Sequence, residues 1–435
     1  MTGFEKPPPP ASNAGKGTNM ILTGMEDQNQ RDLSGLTRGA FVRCSAAWTI
    51  GCVAGCRTTN CRSTYSVPLL GDVHYDRPPI GTFHSEFRRL HASDGYFDAY
   101  RREFESFSSM WGADGRSAAL VAASGMARRP DAAFALQLGD LVEGDCESSE
   151  AHARMLSDAL AFMKCTYGNT PFLAVPGNHD VRKGGHRQGE FENYRRDICA
   201  WHSRELGNEV DDLTFSFMNG PDLWIVADYN RPNVERVERL LSEYRDARYT
   251  VFCTHGAVLT NGNRNPRCWF FLGHPQYSVA TGKKLSAEEL KAKIPVWDAA
   301  RRRVRRMLAE RQAIVLSGHS HLLELRDWYG DGGRITEFVM SSVTHTLTGE
   351  DIPGTPVVVG DKPSDFGRCR VNPNTLRDAS VDALYAEYEP GMKRYYSANA
   401  AGHAELLFSD SGVLANYYAL DSVTPCASFT IRGEA

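Results

Sequence analysis

Six short apolar runs mark the chain from Ser66 onward: Val67–Leu70, Ala132–Leu138, Phe172–Val175, Leu223–Ala227, Tyr249–Cys253 and Ala313–Leu316. Each is four to seven residues long and gives way to glycine, proline or a polar residue, the pattern of a buried strand running into a turn. Between them apolar positions recur at helical spacing over Tyr96–Met110, Glu147–Lys164, Glu190–Glu205, Val234–Ala247 and Val296–Arg311, and Asn233 stands where it can cap the fourth of these. Strands alternating with helices predict an α/β sandwich rather than an all-β fold. After His321 the pattern changes. Arg334–Val343, His403–Phe408, Val413–Tyr418 and Ser428–Arg432 read as strands with few helices between them, and Ser409–Gly412 as the turn of a hairpin. Thr348–Arg370, rich in Gly, Pro and Asp, reads as a long surface excursion. No solenoid-length repeat or coiled-coil heptad is present. The organisation predicted is a leader over 1–65, a main domain over 66–345, and a loop excursion with a β-rich portion over 346–435 that completes it.

Composition changes this picture mainly at the front. At 435 residues and 42% hydrophobic, the chain can bury a large core. Its net charge of −4 lacks the basic excess that phosphate-backbone binding requires, so no nucleic-acid partner is expected. The opening stretch GFEKPPPPASNAGKGTN is Pro, Gly and polar rich and reads as disordered. Then Arg38 and Arg43 precede a short run of apolar and small residues ending at Cys56, which has the length of a signal peptide and is too short to span a bilayer. Val53-Ala54-Gly55-Cys56 resembles a bacterial lipobox, which implies export to the cell envelope and membrane attachment through a lipidated Cys56. The competing reading is a buried N-terminal element of a cytoplasmic protein. Cys146, Cys165, Cys199, Cys253, Cys268, Cys369 and Cys426 are scattered singly, with no CxxC spacing for zinc or redox work.

The candidate chemistry lies at the ends of the predicted strands. LLGDVH offers Asp72 and His74, LQLGD offers Asp140, AVPGNHD offers Asn178, His179 and Asp180, VFCTHG offers His255, and VLSGHSH offers His319 and His321. The carboxyl edge of an α/β sheet is where ligands bind. Imidazoles with carboxylates and one amide suit borderline divalent ions such as Zn, Mn, Fe or Co, whereas the carboxylates are too few for calcium. His319 and His321 point to opposite sides if they lie in a regular strand, but in a turn they can reach two neighbouring ions. Seven ligands are too many for one tetrahedral ion with an open position and suit a pair that shares a bridge.

The ordered set DVH, GD, GNHD, CTHG and GHSH resembles the calcineurin-like metallophosphoesterase superfamily, over roughly Val67–Val343. Each motif is weak alone; five in order, each behind an apolar run, are specific. The resemblance implies a four-layer α-β-β-α sandwich of two mixed sheets with a dinuclear site at the strand ends, and metal-dependent hydrolysis of a phosphate ester by a metal-bridging hydroxide. It implies that Asp72, His74 and His321 bind one ion, that Asn178, His255 and His319 bind the other, and that Asp140 bridges. His179 would contact substrate and protonate the leaving alcohol, with Asp180 orienting it from behind. Two departures stand out. Purple acid phosphatases carry tyrosine three residues after the bridging aspartate, where this chain has Glu143, so tyrosinate-to-iron colour is not expected. His255 sits in THG rather than an HHP-like context.

Several other residues admit two readings. His84, His91, His152, His186, His202, His274 and His345 read as surface or structural histidines, with His345 the best placed to support the site. Arg182 and Lys183 are phosphate-binding candidates or, more simply, solvated loop charges. Trp269-Phe270-Phe271 is a stacking wall or a buried loop anchor, and RRRVRR at Arg301–Arg306 reads as a solvated helix face. The insertions Arg77–Pro130 and Thr260–Pro295 would wall the pocket. Monoesterase and diesterase both stay open, as does a non-catalytic binding protein that keeps the fold, although a complete ligand set argues against the last.

Overall fold

The computed structural model describes residues 63–75, 118–144, 148–182, 190–259, 286–343, 356–367, 386–420 and 422–433. The leader with Cys56, the expected helix Tyr96–Met110, Lys183, the run Trp269–Phe271, and His84, His91, His186, His274 and His345 lie outside them. In chain order the first elements are β1 (Tyr65–Leu70), α1 (Ala118–Ala127), β2 (Ala135–Gln137), α2 (Ser149–Tyr167), β3 (Phe172–Ala174) and α3 (Phe191–Leu206). Next come β4 (Phe215–Asn219), β5 (Asp222–Val226), α4 (Val234–Glu243), β6 (Thr250–Cys253), α5 (Ala287–Glu310) and β7 (Ile314–Ser317). The remainder is β8 (Leu323–Gly330), β9 (Gly333–Val339), β10 (Val357–Gly360), β11 (Met392–Asn399), β12 (Gly402–Ser409), β13 (Gly412–Ala419) and β14 (Ala427–Gly433).

The strands form two mixed sheets, six-stranded in the order β14-β13-β12-β1-β2-β3 and eight-stranded in the order β10-β11-β8-β9-β7-β6-β5-β4. β1, β2 and β3 are parallel, as are β5, β6, β7 and β9, while the C-terminal β12 closes the first sheet antiparallel against β1. Helices α1, α2 and α3 cover the first sheet; α4 and α5 cover the second. This is the four-layer α-β-β-α sandwich.

Burial on both faces explains why the central strands read as continuous apolar runs. Along β5, Trp224 and Val226 join the core between the sheets, while Leu223 and Ile225 pack with Val237 and Leu241 of α4. β6 and β7 repeat the division, with Val251, Cys253, Ile314 and Leu316 facing the opposite sheet and Phe252 and Val315 facing the helices. A polar link ties the layers near the other ends of the strands. Tyr65 of β1 donates to Asp222 of β5 at 2.8 Å, Trp224 donates to the Tyr65 hydroxyl at 3.1 Å, and Arg248 grips Asp222 at 2.9 and 2.6 Å.

Four expectations need correction. α5 begins at Ala287, not Val296, because Ser286 and Glu289 build a capping box and the helix runs on through Pro295. The excursion Thr348–Arg370 contains β10, the edge strand beside β11. Arg301 and Arg305 are buried rather than solvated: Arg301 meets Glu387 at 3.0 Å, Arg305 meets Asp331 at 2.7 Å, and both guanidinium groups lie over Tyr388. Finally, α1, β4, β8 and β11 were not anticipated. In β8 the obstacle is visible, since Glu324, Arg326 and Asp327 look like surface residues yet are buried.

Two buried histidines outside the strand-end cluster set an acid limit on the fold. His202 on α3 accepts from the Ala174 amide at 3.2 Å, and burial holds its pKa down at about 3. His403 on β12 stacks on Tyr418 at 5.2 Å, and burial holds it at about 4. The unfolded chain protonates both near pH 6.5, whereas the folded chain stays neutral, so stability present above that value falls as the pH drops towards 4. Each group should contribute a slope of roughly 1 kcal/mol per pH unit in that window. Thermal melts between pH 7 and 4 should show the loss, and His202→Gln, which keeps an acceptor without a titrating ring, should shallow it.

Candidate metal centre

The turns after β1, β2, β3, β6 and β7 bring every predicted ligand into one cluster. Asp72 Oδ1 lies 3.3 Å from His321 Nε2 and 4.0 Å from His74 Nε2, and the two imidazole Nε2 atoms are 3.3 Å apart. Beside them, His255 Nε2 lies 3.1 Å from Asp140 Oδ2, 3.2 Å from Asn178 Oδ1 and 3.1 Å from His319 Nδ1. Asp140 joins the two halves. Its Oδ1 accepts from the His179 amide at 2.7 Å, and its Oδ2 is aimed between His255 and His74, the latter 3.9 Å away. Asp72, Asp140, His74, Asn178, His255 and His321 are essentially inaccessible to solvent.

Strained backbone makes this convergence possible. His74, Asp140, His319 and His321 all have positive φ, at 49°, 55°, 68° and 56°, a region that non-glycine residues rarely occupy. The left-handed turn breaks strand alternation, so His319 and His321 both face the cluster although they are two residues apart. Each such residue costs about 1–3 kcal/mol, a cost that persists where the surroundings over-determine it. Close approach adds two glycine requirements. A Cβ on Gly139, at φ 94°, would stand 2.4 Å from the His255 ring, and one on Gly177 would stand 2.1 Å from the Asp140 amide.

The donor set suits cations. Leu138 carbonyl accepts from His255 Nδ1 at 2.8 Å, and Glu143 accepts from His74 Nδ1 at 2.7 Å. Both rings must carry their proton on Nδ1, which turns the Nε2 lone pairs into the cluster. Those lone pairs face carboxylate oxygens, an amide oxygen and other ring nitrogens, an arrangement that repels itself unless positive charge sits within it. Burial opposes charging His255, yet Asp140 and Asp72 outweigh it and hold its pKa at about 9. Burial likewise works against ionised Asp140, but His255, His179 and His74 hold it well below the usual carboxylate range. Asp72, His74 and His321 could hold one ion, and Asp140, His255 and His319, with Asn178 in reach, another; in each of the first two trios the ligand atoms lie within 4.8 Å of one another. His74, Asp140 and His179 form a third such trio.

His179 occupies the rim. Its Nδ1 lies 2.9 Å from the Glu143 carbonyl, 3.4 Å from the Glu143 carboxylate and 3.1 Å from an Arg182 nitrogen, while Nε2 lies 3.9 Å from Asp140 Oδ2. Burial and Arg182 disfavour its charged form, but Glu143 and Asp140 prevail and raise its pKa. The expectation for Asp180 fails here. Its carboxylate accepts from the Asp140, Val142 and Gly177 amides at 3.1, 3.0 and 2.8 Å and does not reach His179. Three buried amides compete for those oxygens, so Asp180 ties the β2 and β3 turns together. The carboxylate behind His179 is Glu143, which also supports His74. The sequence held a clue, an acid three residues after Asp140, but nothing in it shows which way that side chain turns. Arg182 is buried against His179 rather than solvated. Asn230, also unanticipated, donates to the Gly177 carbonyl at 2.9 Å and steadies the GNHD turn from β5.

The family model for calcineurin-like phosphoesterases matches residues 66–323. The chain belongs to that family. The family is one of phosphoesterases, hydrolases of phosphoric esters. Among solved structures it is similar to PhoD, with 13% identity, 84% of this chain and 68% of that one covered, and a TM-score of 0.42. It is similar also to a dimetal phosphatase from Danio rerio (12%, 85% and 99%, 0.41) and to a purple acid phosphatase from yellow lupin seeds (11%, 85% and 54%, 0.42). No curated protein matches the chain.

Glu143 gives a direct test. Glu143→Gln keeps the shape but replaces the carboxylate that accepts from His74 Nδ1 with a neutral amide. Affinity for the ion at Asp72, His74 and His321 should fall roughly 10–100-fold, the usual cost of losing such support. Calorimetric titration of the metal-free protein would check it.

Proposed function

We propose that this centre hydrolyses a phosphate ester, with Asp72, His74 and His321 holding one divalent ion, Asn178, His255 and His319 the other, and Asp140 shared. Zn, Mn, Fe and Co all suit the ligand set. When bound, such a pair supplies Lewis acidity towards the phosphoryl oxygens and lowers the pKa of water at the site. The rest falls to the chain's own residues. Asp72 takes two backbone contacts from the His319 amide, at 3.2 and 3.0 Å, which fix its carboxylate in place. His179 moves the proton. Its Nδ1–H is directed to Glu143, so a proton carried at Nε2 is free to pass to the departing alkoxide. The carboxylates of Glu143 and Asp140 favour that charged ring.

The observation that carries the reading is the placement of His179: at the rim of the ligand cluster, supported at Nδ1, and with no hydrogen bond at Nε2 among the described residues. A binding protein that had abandoned turnover would have no use for that arrangement beside a full ligand set. The two readings separate readily. Metal-loaded protein should hydrolyse p-nitrophenyl phosphate or its bis ester, and the ratio of the two rates assigns monoesterase or diesterase; turnover of neither would leave the binding protein. His179→Ala should lower turnover about 10²–10⁴-fold, the usual contribution of a positioned proton donor, with metal content unchanged. Loss of an ion instead would make His179 a ligand within the third trio.

For location, the lipobox-like run supports export to a bacterial envelope and anchoring through Cys56. Labelling with a palmitate analogue should mark the wild-type chain and miss Cys56→Ala; no label on either favours a cytoplasmic protein.

A further inference from the structure

The segment that follows His255 is buried, and its backbone is held by side chains instead of by a neighbouring strand. Val258 and Leu259 are essentially inaccessible. The Val258 amide donates to Glu337 Oε1 at 2.6 Å and the Leu259 amide to Glu337 Oε2 at 3.1 Å. Arg326 donates to the Leu259 carbonyl, and the Tyr388 hydroxyl donates to the Val258 carbonyl at 3.3 Å. Both amides and both carbonyls of two consecutive residues are therefore satisfied by side chains, where unpaired they would each carry a large desolvation cost.

These side chains form an ordered row. Glu337 on β9 stands opposite Arg326 on β8, and Arg326 stands opposite Tyr395 on β11, all on the face of the eight-stranded sheet that otherwise packs apolar residues against α4 and α5. Arg326 bridges Glu337 at 2.9 Å and also bonds Glu324, which accepts from Tyr395 at 2.9 Å. Two carboxylates and one guanidinium are fully buried there. Burying such a group is costly, and a well-packed apolar replacement is often as stable or more so. The row does more than join β8, β9 and β11. What it supplies is the backbone position of residues 258 and 259, three and four residues beyond His255. On its other sides that residue is held by the Nδ1 bond to Leu138, by the Tyr229 ring packed edge-on at 5.3 Å and by the Gly318 amide on its carbonyl at 3.0 Å.

We infer that Glu337 and Arg326 are positioning residues for the half of the metal centre formed by His255, His319 and Asn178, acting through the backbone of Val258 and Leu259. The inference rests on the metal-centre reading above. Glu337→Gln keeps the side-chain shape but sets an N–H against one of the two amides, so the segment must shift and His255 with it. Metal-free wild-type and Glu337→Gln chains would be titrated calorimetrically with Zn²⁺, with circular dichroism and thermal melts alongside. Leu406→Ala, in the core of the other sheet, serves as a control for lost stability. Wild type should bind two ions. The variant should bind one at wild-type affinity and the second roughly 10–100-fold more weakly, while Leu406→Ala keeps both affinities. Should Glu337→Gln not fold, Arg326→Lys, which keeps the cation and loses the fork, carries the same expectation. Unchanged affinities, or equal weakening at both positions, would overturn the assignment alone. A wild-type chain that takes up no pair of ions would overturn the metal-centre reading and this assignment together.

Discussion

Everything at the strand ends answers to one electrostatic constraint: groups that repel one another are held within about 3–4 Å, as they must be wherever ligand atoms share a metal. Asp140 Oδ2, His255 Nε2 and Asn178 Oδ1 crowd together, and so do Asp72 Oδ1, His321 Nε2 and His74 Nε2. Two of these come from the first sheet's turn after β1, two from those after β2 and β3, and two from the second sheet's turns after β6 and β7. Neither sheet can close the cluster by itself. The packing between the sheets, with its aromatic contacts of Trp224 with Phe134 and Phe408, is thus what brings the two half-sets into register.

The cost of that register is visible in the backbone. Four ligands adopt left-handed conformations, and the neighbouring glycines leave no room for a Cβ. Strain of this kind is tolerated when the surroundings over-determine it, and here they do. Asp180 gathers three amides from two turns, Asn230 holds the Gly177 carbonyl, and His152 lies 2.7 Å from the Asp180 carbonyl oxygen. These residues set where the ligand-bearing turns run.

The two sheets, the family and the groups that meet at the strand ends were legible in the sequence because they rest on local signals: apolar runs of strand length, each followed by a turn with metal-binding side chains. What escaped was set by tertiary contacts. β8 and β11 carry charged residues that read as surface, because a buried ion pair such as Arg326–Glu337 has no local signature. The α5 boundary differs because the capping box at Ser286 lies within Thr260–Pro295, a stretch that reads as an insertion. Asp180 was given the wrong neighbour for a related reason. Adjacency to His179 in sequence suggested a partner, but the turn sends consecutive side chains in different directions, and Glu143, thirty-six residues earlier, fills that place.

Glu143 and Glu337 illustrate a common principle in how this fold supports its centre. Each is a buried carboxylate that binds no ligand atom of its own half-site through its metal-facing side, and each converts its charge into position. Glu143 does so through ring N–H groups, fixing the tautomer of His74 and bracing His179. Glu337 does so through backbone amides, fixing the path of the chain beyond His255. Rings can be oriented by a single acceptor, but a segment without a strand partner needs its amides and carbonyls met together, which is why the second support includes a guanidinium and a phenol as well as a carboxylate. The two halves of the centre therefore differ in what holds them. The His74 ring is supported by a side-chain carboxylate, whereas the segment beyond His255 is held by a buried network spread over β8, β9 and β11.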